Sequence, residues 1–206
     1  MSSINLTETG GGSNTVALKA PSSIGGSGRE ITFFGGGTVL ESFSTPCDGS
    51  TITVPSGSYT VGNVTASQTL STTYADANGS SISYTPPTGT KNVIYQFSFN
   101  GGRGDNFPYA HFKFYIDSDE VTNFRNTLAS YIGDFGMRTL KWSINIGGSA
   151  VTATGRLASW TSAKTLKIQA RDYSASYEAI LFNAYEFDGS SSNQFQQPQL
   201  SITSIG

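Results

Sequence analysis

Asn92-Val93-Ile94-Tyr95-Gln96-Phe97-Ser98-Phe99 is the stretch on which the fold turns. Val93, Tyr95, Phe97 and Phe99 occupy every second position, with Asn92, Gln96 and Ser98 between them. Only an extended strand sorts a period-two pattern into one apolar and one mostly polar face. Ala110, Phe112, Phe114 and Ile116 repeat the pattern against Tyr109, His111, Lys113 and Tyr115. Leu140, Trp142, Ile144 and Ile146 repeat it again, as do Leu166, Ile168 and Ala170 against Lys167, Gln169 and Arg171. Four such strands supply one inner face of a sandwich.

Outward from this centre the chain reads as further short β runs separated by turn residues. Ser50 to Val54 meets Pro55-Ser56-Gly57-Ser58, and Tyr59 to Val64 follows. Asp76-Ala77-Asn78-Gly79 predicts a hairpin, because Asn-Gly supplies the positive φ values of a type I′ turn. Ser80 to Thr85 stops at Pro86-Pro87-Thr88-Gly89. Ala179 to Phe187 is apolar on both faces, which predicts either a central strand or one whose outer face meets another subunit. Only Asp119 to Ile132 carries helix-like spacing (Val121, Phe124, Leu128), so a short helix or an irregular loop is expected there. The expected fold is all-β: an antiparallel β-sandwich of jelly-roll type over residues 39–206. Thirteen Phe and two Trp, each worth roughly 1.5–3 kcal/mol when fully buried, hold such a core without metal or disulfide.

Residues 1–38 differ. Three Gly clusters separate runs such as Thr15 to Lys19 and Glu30 to Phe34, too short to bury a core alone. They are read as an extended attachment or stalk segment, with Thr15, Val16, Leu18, Phe33 and Phe34 as candidate subunit contacts. Leu181 and Tyr185, from the doubly apolar run, are the others.

Composition narrows the function. Among 206 residues, 30 Ser, 24 Thr and 24 Gly make up roughly two-fifths, while charged residues are 13% and aromatics 12%. A net charge of −2 gives no electrostatic footprint for nucleic acid or an anionic membrane. No apolar run approaches the roughly 20 residues that span a bilayer. Met1-Ser2-Ser3-Ile4-Asn5 has neither a basic nor an apolar leader region, so the product is expected to remain in the cytoplasm where it is made. One Cys47 and one His111 exclude a disulfide framework and Cys/His zinc clusters. No cofactor is expected.

Candidate sites are few. Arg103-Gly104-Asp105 lies in a Gly-rich loop, where turn geometry explains the glycines. Asp117, Asp119 and Glu120 place oxygens near a strand end, as a Ca²⁺ site requires, but the twelve-residue calcium loop is absent and a solvated turn is expected. His111 has no nucleophile or orienting carboxylate nearby in sequence and is read as a surface histidine. Cys47 is read as a small buried thiol. Trp160, Tyr173 and Tyr177, near Asn, Gln, Asp and Arg residues, are candidate glycan contacts, since rings stack on sugars while polar groups bond their hydroxyls. A polysaccharide-cleaving enzyme using Asp117 and Glu120 ranks last; a non-enzymatic protein is expected.

Ile4-Asn5-Leu6-Thr7-Glu8-Thr9-Gly10 with Thr15 to Ile24 resembles the short N-terminal module of virion proteins of double-stranded DNA viruses of marine microbes, including tail-fibre-like proteins of cyanophages. Cys47-Asp48-Gly49-Ser50, Ser80 to Gly89, and Phe112 to Asp117 are similar to β-domains of structural proteins in such viruses. The resemblance carries over no functional residue. It implies a virion component, commonly a homotrimer, docked to major capsid or tail proteins by its N-terminal segment with the β-sandwich facing outward. One short stalk-like unit precedes the sandwich, which favours a capsid decoration or minor capsid protein, or a short fibre knob. A receptor-binding knob that recognises host surface glycan is the alternative.

Overall fold

The computed structural model describes residues 37–103, 109–129, 136–184, 187–189 and 194–206. Strands follow the alternating runs. β1 (Val39–Pro46) leads to a hairpin of β2 (Thr51–Val54) and β3 (Gly57–Thr60), then to β4 (Gln68–Thr69), β5 (Ala75–Asp76) and β6 (Ile82–Tyr84). The longest strands come next: β7 (Asn92–Arg103) and β8 (Tyr109–Ile116), then the short β9 (Asp119–Glu120) and β10 (Asn126–Ala129). β11 (Gly136–Asn145), β12 (Lys164–Asp172), β13 (Ala179–Leu181) and β14 (Gln199–Ile205) complete the set.

Two sheets form an antiparallel β-sandwich of jelly-roll type. In the first, β1, β14, β7 and β11 lie side by side, and β13 with β4 continues along the far end of β7. In the second, β12 pairs with β8 on one side and with β5 and β6 on the other, while β9 and β10 run along β8.

The inward side chains are those the alternation predicts, but the four alternating strands do not supply one inner face: β7 and β11 belong to the first sheet and β8 and β12 to the second, so they face each other. Val93, Tyr95, Phe97 and Phe99 are buried against Ala110, Phe112, Phe114, Ile116, Leu166, Ile168 and Ala170. Ring contacts cross the interface, with Tyr95 at 5.0 Å from Phe114 and Phe99 at 5.8 Å from Phe112. Phe182 joins them edge-on to Phe97 and Phe99 despite a left-handed φ of +64°. That conformation costs about 1–2 kcal/mol, comparable to what full burial of the ring contributes.

Two expectations are corrected and a third is decided between its alternatives. Asn78-Gly79 is a turn but not a hairpin: β5 and β6 pair with the same strand, β12, in succession, so the turn is a loop thrown out of one edge. Only Gly79 has positive φ there (+79°), whereas a type I′ turn needs it at both central residues. The described part of Asp119 to Ile132 contains β9, a single 3₁₀ turn at Thr122–Phe124, and β10. Its spaced apolar residues are buried because the chain folds back along β8, with the Val121 N–H donating to the Phe114 carbonyl at 2.9 Å. β13 is a central strand between β7 and β4, buried on both faces. Leu181, expected at a subunit contact, is therefore enclosed inside its own chain.

Candidate functional site

Side chains at alternate positions of β8 and β12 that do not enter the core share the outer face of the second sheet. The register sets Arg171 opposite His111, Gln169 opposite Lys113, and Lys167 opposite Tyr115. The ladder continues past β12, where the Tyr173 N–H donates to the Tyr109 carbonyl at 2.7 Å. A turn closed by the Tyr177 N–H on the Ser174 carbonyl (3.0 Å) then brings Tyr177 back to the same place.

The result is an aromatic cluster. Tyr109 lies 4.7 Å from Tyr173 and 5.7 Å from Tyr177, and those two are 5.6 Å apart. His111 adjoins Tyr109 and Tyr173 at 5.6 and 5.8 Å. Tyr173 is half exposed. Further along the sheet, Tyr74 sits under two cations, Lys113 Nζ at 4.5 Å and the Arg171 guanidinium at 5.2 Å, an arrangement favoured by the negative ring face.

Charges around this face are arranged in pairs, with Arg171 apart. Glu120 accepts from Lys113 (2.9 Å) and Arg125 (2.7 Å), and Asp76 meets Lys167 at 3.0 Å. Arg125, then Lys113, holds the Glu120 carboxyl below its ordinary range, and the same contact keeps Lys113 firmly charged. Among the described residues Arg171 makes one hydrogen bond, a 3.4 Å contact from Nη1 to the Thr72 carbonyl. Desolvation, and secondarily the Arg171 charge, lowers the His111 pKa, so the imidazole is neutral at pH 7.

Beside the cluster opens a cavity of about 390 Å³ lined by Leu70, Ser71, Thr72, Asp172, Ala175, Tyr177 and Glu178. Asp172 is only 4% exposed, and its Oδ1 accepts the Ala179 N–H at 3.0 Å. Burial, helped by Glu178, outweighs that bond and pushes the Asp172 carboxyl up to about 6. Ring faces, hydroxyls and a carboxyl that titrates near pH 6 thus meet at one end of the sheet. This is the composition of a site that stacks on and hydrogen-bonds a polyhydroxylated ligand.

Sequence-predicted residues divide. Tyr173 and Tyr177 come together. Trp160 does not join them: it is 6% exposed, packs edge-on to Tyr84 at 6.1 Å, and donates Nε1–H to the Tyr84 carbonyl at 3.2 Å. Its ring has no face free for a sugar, so the glycan-contact expectation fails for Trp160. Thr15, Val16, Leu18, Phe33, Phe34 and Tyr185 lie outside the described residues, as do Gly104 and Asp105. The acidic trio is split between partners. Partial burial raises the Asp117 carboxyl, but Lys164 (2.9 Å) and the Thr165 N–H (2.8 Å) outweigh it and hold it low, while Glu120 faces Lys113 and Arg125. Cys47 is buried and its thiol reaches the Gly79 carbonyl at 3.4 Å.

Sequence reading missed Tyr74, Tyr109, Lys113, Arg171 and Asp172 as members of one site. The alternation already assigned Tyr109, His111 and Lys113 to a single face; the missing signal was that β8 and β12 are neighbours.

No protein-family model and no curated protein matches the chain. Among solved structures it is similar to a chain in the structure of the Gx strain of infectious bursal disease virus, at 8% identity and a TM-score of 0.37, covering 91% of this chain and 41% of that one. A chain in the Gt-strain structure of the same virus is similar at 9% identity and a TM-score of 0.27, covering 93% and 47%. This chain thus spans less than half the length of either.

Proposed function

We propose that this protein is a non-enzymatic surface component of a virus particle, a decoration or minor capsid protein or a short fibre knob, that works by packing against other protein chains. The observation that carries this reading is the outer face of the first sheet. Ser42, Ser44, Ser201, Thr203, Gln96, Ser98, Thr139 and Ser143 line it, and Lys141 is its one charge among the described residues of β1, β14, β7 and β11. Its polar groups already bond one another across strands: Ser42 with Thr203 at 2.9 Å, Ser201 with Ser44 at 2.8 Å, Ser98 with Thr139 at 3.0 Å, and Asn92 with Ser143 at 2.7 Å. A surface whose hydroxyls are mutually satisfied loses little when water is removed, so it suits burial under another chain. Residues 1–38 provide the attachment, and homotrimeric assembly with docking to major capsid or tail proteins follows from that role.

Charge placed on the covered face tests it. Ser44→Lys with Thr139→Lys should leave the fold intact and exclude the protein from particles, as should deletion of 1–38; undiminished occupancy in both would reject the reading. Solution mass of the purified chain reports the oligomer.

A second role, carbohydrate binding during host attachment, is favoured by one specific observation: Tyr173 lies 5.6 Å from Tyr177, which lines the Asp172 cavity. The two roles use opposite faces of the sandwich and are compatible.

A further inference from the structure

We propose that the outer face of the second sheet takes an anionic polysaccharide, a chain of sugars bearing carboxylate or sulfate groups, laid from Tyr74 and Arg171 towards Tyr109 and Tyr173. This rests on the carbohydrate reading above and adds the ligand's charge.

Charge complementarity selects the occupant. The chain as a whole is acidic, with 14 Asp and Glu against 12 Lys and Arg. At the Tyr74–Arg171 end of this face the balance reverses, with Lys113, Arg125, Lys167 and Arg171 set against Glu120 and Asp76, while the acids Asp172 and Glu178 line the cavity beside Tyr177 at the other end. Both acids are engaged by three of those cations, which leaves Arg171 as the cation without a carboxylate among the described residues. A guanidinium carries five N–H donors in a planar fork matched to carboxylate or sulfate. Arg171 uses one of them, weakly; its Nε–H is buried without a partner among the described residues, so the Nη groups are the donors it offers, and its guanidinium lies 5.2 Å from the Tyr74 ring.

Sugars rather than nucleotides fit the remaining surface. An excess of two positive charges is small for a nucleic-acid backbone, whose binding scales with the number of phosphates neutralised. The other groups are neutral hydrogen-bonding side chains: Gln169 among the cations, and Thr127 with an uncharged His111 beside the ring cluster. The path from Lys167 to Tyr173 is continuous β-strand and its continuation, about 20 Å long at strand rise, which suits an extended polymer.

The test measures binding of the full chain to heparin, alginate, neutral dextran and single-stranded poly-uridine, by titration at low and high salt. Saturable binding to heparin or alginate is expected, weakened roughly tenfold or more by high salt and by Arg171→Gln, and weakened also by Lys113→Gln, with no dextran binding. Thermal melts of both variants check that they remain folded, and the exposed Tyr173→Ala provides an independent disruption of the same path. Equal binding to dextran, insensitive to salt, would overturn the anionic assignment while keeping the carbohydrate reading. Binding to none of the three polysaccharides would remove both. Tighter binding to poly-uridine than to either acidic polysaccharide would reject the assignment in favour of nucleic acid. Heparin or alginate binding unaffected by Arg171→Gln, Lys113→Gln and Tyr173→Ala would place the site elsewhere and overturn it too.

Discussion

The Ser80 hydroxyl completes the bonding of Ile168: it accepts from the Ile168 N–H and donates to the Ile168 carbonyl, both at 3.1 Å, and that carbonyl also accepts the Ala77 N–H at 2.9 Å. This happens where the chain loops out between β5 and β6, leaving the Ile168 N–H to a side chain instead of a strand. Both residues are fully buried. Ser80→Ala orphans a buried N–H and should cost about 1–3 kcal/mol, read as a lower urea midpoint with an unchanged slope. A loss below about 0.5 kcal/mol, the scale of an ordinary surface change, would show that the bond contributes nothing.

The same loop fixes Gly79. A methyl group there would sit 2.6 Å from Val64 Cγ2 and 2.9 Å from Cys47 Cβ, on a backbone of φ +79°. Overpacking and the left-handed conformation together predict a loss of about 2–5 kcal/mol for Gly79→Ala. Cys47, whose thiol burial pushes up to about 12, should be inert to thiol reagents at pH 8 in the wild type and become reactive in this variant. Equal labelling rates in the two proteins would contradict the packing argument.

Asp172 makes stability pH-dependent in a defined direction. Its folded-state pKa of about 6 lies above the usual 3.8, so the folded protein holds the proton more tightly. The stabilising contribution is complete below about pH 4 and is lost as pH rises through about 6. Asp172→Asn keeps the oxygen that accepts the Ala179 N–H and should raise stability at pH 7 by on the order of 1–3 kcal/mol. Denaturant midpoints at pH 4, 5, 6 and 7 check this. A variant whose midpoints run parallel to the wild type would refute it.

Trp160 and Tyr173 should separate cleanly although both are aromatics near polar residues. Trp160→Ala empties a core site and should cost about 3–5 kcal/mol, whereas Tyr173→Ala, at a half-exposed ring, should stay within about 1 kcal/mol. Ligand binding lost only in the Trp160 variant would therefore report unfolding, and binding lost only in the Tyr173 variant would report the site. The reverse stability order would invalidate the assignment of the two rings.

Glu41 shows how far a sequence can mislead about burial. It occupies a strand of Ser, Phe and Thr, yet its carboxylate is enclosed and accepts from Ser56 N–H (2.9 Å), Ser56 hydroxyl (2.7 Å) and Tyr84 hydroxyl (2.8 Å). Its partners come from the β2–β3 turn and from β6, fifteen and forty-three residues away. No local pattern announces such a network, because a buried acid is tolerated only when distant donors converge on it.

Period-two alternation by itself determined the all-β class and which side chains of β7, β8, β11 and β12 face inward, because strand geometry forces alternate side chains to opposite sides whatever lies across from them. Tertiary structure alone decided that β8 and β12 are neighbours, that Asn78-Gly79 is a loop within an edge and not a hairpin, that Trp160 is core, and that Tyr74, Tyr109, Arg171 and Tyr173 share one surface. Those outcomes depend on strand pairing across as many as a hundred residues, where hydrogen-bond satisfaction and packing of the whole sandwich choose among partners that are locally equivalent.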